Sequence, residues 1–283
     1  MARDEREGQL YYYFGRVDDP DIAAVAISIQ AETYVDGQPV RREVQRLEVP
    51  ELLAAMAAEK SASSTACPSP AAFARAFEKG DRTVCFTISG SLSGTYNAAM
   101  MGREMVLEEH PEKEVCVIDS KATAGAMVLL IRRARQLIEE APERDFEELC
   151  GQLRMYQASL RTCFTLECFD NLIKNGRMRP LVGTLLRSLG IHVIADATAQ
   201  GTIHVADKAR GERKTYRAIT ALMGASKDCE GAQVVISHCE NPEGALQLRE
   251  QILADLPVRS VDILPCRGLT SFYAMEKGLI VGY

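Results

Sequence analysis

The sequence predicts an α/β protein with a parallel-sheet first part and an α+β second part, on three observations. Short apolar runs alternate with amphipathic helical stretches as far as about residue 140. Beyond Pro142 that alternation gives way to clustered helices followed by strand-like pieces. Between them, Cys85-Phe86-Thr87-Ile88 breaks into Ser89-Gly90-Ser91-Leu92-Ser93-Gly94-Thr95 and then into a helix, the strand-loop-helix join of a βαβ unit.

In chain order, residues 22–30 are β-rich and 49–59 helical. Ser69-Pro70 starts a helix, Ser as cap and Pro in the first turn, that runs over 71–79 and stops at Gly80. A strand at 83–88 and a helix at 93–109 follow, then a buried strand at 114–118 ending in Asp119-Ser120 and an apolar helix at 124–140. Such alternation implies a parallel sheet with helices on both faces, a three-layer domain whose ligands bind beyond the carboxyl ends of the strands. In the second part, helices are expected at 145–159, 166–174, 180–189, 211–223 and 242–256. Strands are expected at 191–195, 202–205, 233–237, 260–264 and 279–282. At 283 residues the chain has room for two modest domains, placed here at 1–154 and 155–283.

The hydroxyl loop is the most informative segment. Ser/Thr oxygens and backbone N–H groups at a helix N-terminus suit an anion. A nucleotide loop would need Lys and Ser/Thr after its second glycine, and here Gly94 precedes Thr95 and Tyr96. A hydrolase elbow fails because Leu92 stands two residues after Gly90, and no nearby His suggests a base for Ser93. A Ser93-dependent hydrolase or phosphotransferase is thus the weaker reading, and a signalling or interaction protein is a third.

Composition narrows the partners. A formal charge of -6 argues against nucleic acid or an anionic membrane surface. Nine cysteines without a Cys-x-x-Cys pair suggest reduced thiols. No apolar run approaches the ~20 residues of a membrane span, so a cytoplasmic protein without metal or cofactor is expected.

Rival uses remain open for single residues. Ser93 and Thr95 can cap the following helix, and Thr65 can be an ordinary loop threonine. Asp119-Ser120 is expected to be a strand end and turn. His238-Cys239 is expected to be structural, because adjacent strand residues face opposite ways. Arg177, Arg179, Arg210, Arg213 and Lys214 form two basic clusters, either a solvated face or a docking surface.

Six segments in order resemble the DegV family of fatty-acid-binding proteins. They are Thr65-Ala66-Cys67-Pro68-Ser69-Pro70, Ile88 to Tyr96, Val117-Ile118-Asp119-Ser120-Lys121, Asn171-Leu172-Ile173-Lys174-Asn175-Gly176-Arg177, Lys208 to Lys214, and Arg267-Gly268-Leu269-Thr270-Ser271-Phe272-Tyr273-Ala274. The resemblance spans roughly residues 20 to 283. It implies a DegV-like two-domain fold, the second domain with a mixed sheet, that holds a long-chain fatty acid such as palmitate or oleate between its domains.

It further implies a non-enzymatic carrier in lipid transport or metabolism that presents the acid to a fatty acid kinase. Carried over, the carboxylate ligands are Thr65 and Ser93, with backbone N–H groups at Gly94 and Thr95 beside them. The kinase-facing surface falls to Arg177 and Arg210. The helix at 124–135, with Met127, Leu129 and Leu130, and the pair Phe272-Tyr273 are candidates for the tunnel wall. The chain departs from the family pattern in its first thirty residues, which hold no Asp-Ser-x-x-Asp-like loop. It departs again at Cys266-Arg267, where many members carry a small residue and a histidine near the lipid head group.

Overall fold

Elements in the computed structural model follow the expected order, with residues 33–35, 38–40, 49–58, 64–179 and 190–283 described. Strands β1 (Thr33–Val35) and β2 (Gln38–Val40) pair antiparallel, and β3 (Ser64–Thr65) joins the other side of β1. Helix α1 (Val49–Ala58) lies between them in sequence. The expected segments 22–30 and 180–189 fall outside the described residues.

The first lobe is built on β4 (Arg82–Thr87) and β5 (Glu114–Asp119), which pair parallel with Thr87 opposite Asp119. Both are largely buried, as near-continuous apolar strands of a covered parallel sheet should be. Helix α2 (Pro70–Phe77) starts at Ser69, whose hydroxyl accepts the Ala72 N–H at 3.3 Å, with Pro70 in its first turn. Helices α3 (Thr95–Glu109), α4 (Gly125–Glu140) and α5 (Phe146–Ser159) complete the lobe. Phe73, Phe77, Met127, Leu130 and Leu153 are fully buried in its core. The expected division after residue 154 falls inside α5.

The second lobe is a six-stranded mixed sheet. It comprises β6 (Thr162–Leu166), β7 (Ile191–Ala197), β8 (Ile203–Arg210), β9 (Gln233–His238), β10 (Ser260–Pro265) and β11 (Leu279–Gly282) in the order β10-β9-β11-β6-β7-β8. Only β9 and β10 pair parallel within it; the last strand, β11, enters antiparallel between β9 and β6. Helices α6 (Asp170–Lys174), α7 (Glu212–Ser226), α8 (Pro242–Asp255) and α9 (Gly268–Ala274) flank it. Ile194, Ile219, Val234, Ile236 and Leu248 form its main core.

Several assignments differ from the sequence reading. Residues 162–166 form a strand, and the helix expected over 166–174 shrinks to α6. Helix α9 was not expected, and β7 and β8 each extend beyond the residues assigned to them.

The lobes meet where α4 begins. A Cβ on Gly125 would lie 2.4 Å from the Val235 carbonyl oxygen, and one on Gly282 would lie 2.0 Å from the Ala126 nitrogen. Neither position has room for a methyl group, so both glycines serve close backbone approach. Farther along α4, Arg132 donates to Asp262 of β10 at 2.5 Å.

Candidate functional site

Strand β4 delivers the hydroxyl loop to the carboxyl edge of the first sheet, beside the loop that follows β5. Asp119, at the end of β5, accepts the Gly90 N–H at 3.0 Å and the Lys121 N–H at 2.9 Å. It is a brace between the two loops, in keeping with the expected strand end and turn. Ser89 is fully buried and donates to the Gly201 carbonyl at 2.7 Å, while Ser91 donates to the Gln200 carbonyl at 2.7 Å. Two of the loop's hydroxyls therefore hold the β7–β8 turn of the other lobe. Gly201 has φ +79°, and a Cβ there would stand 2.3 Å from Ser89 Oγ, so the turn admits no side chain.

The remaining hydroxyls face inward. Ser93 Oγ and Thr95 Oγ1 lie 2.8 Å apart, and Ser93 Oγ also accepts the Thr95 N–H at 3.3 Å. No side chain caps α3 at Gly94, so Ser93 is not the conventional cap its position suggested. When the Thr95 hydroxyl is the donor of that pair, Ser93 Oγ accepts twice and keeps its own proton for another acceptor. Thr65 Oγ1 and the Tyr273 hydroxyl are 2.8 Å apart, joining β3 to α9.

These groups border one cavity of about 420 Å³ between the lobes, within the ~300–1,000 Å³ of typical small-molecule sites. Its hydroxyl end includes Thr65, Ser93, Gly94 and Thr95. Its apolar wall includes Phe164 and Leu166 from alternate positions of β6, Ile280 of β11, Ile203 of β8, Leu172 of α6 and Leu269 of α9. Lys121 and Arg177 border it, and no Asp or Glu does so among the described residues. A cavity with cations and hydroxyls on its border and aliphatic walls suits an anionic head on a hydrocarbon body.

The two arginines paired on sequence grounds occupy different settings. Arg177 is half-buried in the cavity border, its Nε donating to the Leu92 carbonyl at 3.0 Å and its guanidinium carbon 5.9 Å from the Tyr273 ring centre. A second bond runs from its Nη1 to the Asn175 carbonyl. Arg210 is exposed at the end of β8; Arg179, Arg213 and Lys214 are exposed elsewhere, and none of the four borders the cavity.

The tunnel-wall expectation is corrected for α4. Met127, Leu129 and Leu130 are fully buried in packing and do not line the cavity, because the close seating of Gly125 turns that face of α4 into the core. Of the aromatic pair, Tyr273 lines the cavity, and Phe272 is buried behind it at 4.8 Å between ring centres. Arg267 stands at the amino end of α9 and does not line the cavity either.

His238 Nδ1 accepts the Asn241 N–H at 3.2 Å, a structural use, and burial lowers its pKa. No group of three metal-ligating side chains is found among the described residues. No described helix is long and apolar enough to cross a membrane. Lys121 and the cavity-side position of Arg177 were missed at the sequence level. The only signal for Arg177 was its place one residue after Gly176, which has φ +74° and turns the chain back.

The profile of the DegV family, described as uncharacterised protein, matches residues 16–279. This chain belongs to the DegV family. A DegV domain-containing protein of Streptococcus pneumoniae is 36% identical over 270 residues, covering 95% of each chain. A DegV family protein of Eubacterium eligens, crystallised loaded with heptadecanoic acid, superposes with a TM-score of 0.82 at 32% identity, covering 90% of this chain and 91% of the other. The S. pneumoniae fatty acid kinase (Fak) B3 protein, loaded with linoleic acid, has the same TM-score at 33% identity, covering 90% and 89%. The mixed second sheet and small parallel first sheet are thus the DegV fold.

Proposed function

We propose that this DegV protein is a carrier that holds one long-chain fatty acid between its two lobes and performs no chemistry on it. One observation carries the reading: a single cavity joins hydroxyls and two cations to an aliphatic wall and is bordered by no described carboxylate. Thr65, Ser93 and the Gly94 N–H hold the carboxylate, and Thr95 supports them by donating to Ser93, which leaves Ser93 its own proton for the ligand. The tail runs over Phe164, Leu166 and Ile280. Each buried methylene contributes about 0.8 kcal/mol, so a sixteen-carbon tail supplies on the order of 10 kcal/mol before ordering costs. The tail therefore sets affinity and the hydroxyls set direction.

The relatives crystallised with heptadecanoic and linoleic acid support the ligand class, and the fatty acid kinase B3 protein supports a kinase as the recipient. In that step the kinase moves a phosphoryl group from a nucleotide to the presented carboxylate. The exposed Arg210, with Arg213 and Lys214, forms the docking face.

Native mass spectrometry of the freshly purified protein tests the reading. The expected spectrum shows one long-chain acid per chain. A protein that emerges lipid-free and takes up neither palmitate nor oleate would refute it and favour an interaction protein.

A further inference from the structure

A second cavity of about 420 Å³ opens beside β5 and shares no lining residue with the first. Two thiols border it, Cys116 of β5 and Cys150 of α5. Their thiols are close enough for each to shift the other's protonation. Arg154 Nη2 donates to Cys116 Sγ at 3.4 Å, and Arg103 Nε donates to the carbonyl of the preceding residue, Val115, at 2.7 Å. One guanidinium group therefore bonds the Cys116 sulfur and a second holds the neighbouring peptide, both on the border of one cavity.

The setting separates these two thiols from the other buried ones. The Cys150 contact, against the opposing effect of burial and with help from Arg154 and Arg103, lowers the Cys116 pKa. The same contact, with burial, pushes the Cys150 thiol up. Cys85 on the neighbouring strand and Cys163 in the second lobe have no such cation, and burial pushes both thiols up. A thiol with a lowered pKa beside a cation, next to a second thiol shifted up, is the arrangement of an attacking and a resolving cysteine.

We propose that Cys116 and Cys150 form a redox-active pair that closes to a disulfide when a hydroperoxide enters this cavity. The Cys116 thiolate attacks the terminal peroxide oxygen, and the O–O bond breaks. Cys116 becomes a sulfenic acid, and the leaving alkoxide or hydroxide takes a proton from water. Cys150 then loses its proton and attacks the Cys116 sulfur; an S–S bond forms, the S–O bond breaks, and hydroxide leaves with that proton as water. The two thiols lose two electrons and the peroxide gains them. The new bond ties α5 to the strand that runs into Lys121, Ala122 and Thr123 of the first cavity.

The test uses the full chain, reduced, desalted and exposed to equimolar hydrogen peroxide. Intact mass should fall by about 2 Da, and peptide mapping should find Cys116 joined to Cys150. Cys150→Ser should instead accumulate a dimedone adduct at Cys116, and Arg154→Gln should slow the reaction about tenfold. The exposed Cys67 provides an internal reference for a solvent-accessible thiol. Oxidation of Cys67 before Cys116, or a peptide map of the oxidised wild type without the Cys116–Cys150 link, would overturn the proposal. The wild-type map decides the matter even if a variant fails to fold.

Discussion

Replacing Ser93 by Ala separates a ligand role from a structural one. The substitution removes a hydroxyl that pairs with Thr95 Oγ1 at 2.8 Å and accepts the Thr95 N–H at 3.3 Å. Thr95 is 1% exposed, so its stranded hydroxyl should cost the lipid-free protein about 1–3 kcal/mol. If Ser93 also donates to a carboxylate, binding should weaken by a further 1.5–3 kcal/mol, about 10- to 150-fold in Kd. At fixed ligand concentration the loss appears as a smaller ligand-induced rise in Tm. At about 2–4 °C per kcal/mol that rise should shrink by roughly 3–12 °C.

Delipidated protein, thermal melts with and without oleate, and titration calorimetry supply the readouts. The double variant Ser93→Ala/Thr95→Val removes both hydroxyls and leaves nothing stranded. It should recover stability without recovering affinity. An unchanged Kd in Ser93→Ala, with only the lipid-free Tm lowered, would refute the ligand role and leave Ser93 as a prop for Thr95.

Three further outcomes follow from the geometry. Arg210→Ala should leave oleate affinity unchanged, since Arg210 is exposed and outside the cavity, while acyl-phosphate formation by an added fatty acid kinase falls; parallel phosphorylation and lipid-binding assays on one sample check this. Gly201→Ala should cost about 1–3 kcal/mol in chemical denaturation, because the position combines φ +79° with a contact 2.3 Å from Ser89 Oγ; an unchanged midpoint would show that the turn is not held there. The folded-state pKa of His238 lies below the ordinary 6.5, so the unfolded chain takes up the proton first as pH falls. The stability that neutral His238 lends should therefore be complete above about pH 6.5 and be lost as pH drops through the lower folded value, with His238→Gln flattening that part of the Tm profile.

The first lobe was legible because its strands are flanked by strong punctuation. Ser69-Pro70, Gly80 and the hydroxyl loop mark ends that local chemistry enforces. Strand β6 was missed because all five of its residues are buried between β11 and β7, so no alternation of apolar and polar positions shows. Helix α9 is seven residues long and has no side-chain cap. The insertion of β11 between β9 and β6 is a long-range pairing that no local pattern encodes.

At the site, the loop after β4 was evident, since hydroxyls and glycines between a strand and a helix have few uses. What those hydroxyls bond was not evident, because the partners of Ser89 and Ser91 lie about 110 residues away in sequence. The inward bonding of Arg177 was hidden for the same reason: its basic neighbours suggested a surface, while the Leu92 carbonyl to which it donates belongs to the other lobe.

The seating of α4 divides the work of opening and closing. At Gly125 and Gly282 the lobes touch backbone to backbone, a hard joint with no slack for sliding. Between Arg177 and Leu92, and between Thr65 and Tyr273, they touch through polar side-chain bonds at the cavity border, a soft latch. If a ligand of fatty acid length enters by undoing the latch while the joint holds, the loading rate should respond to substitutions at Arg177 and Tyr273 and be insensitive to the strength of the first lobe's core.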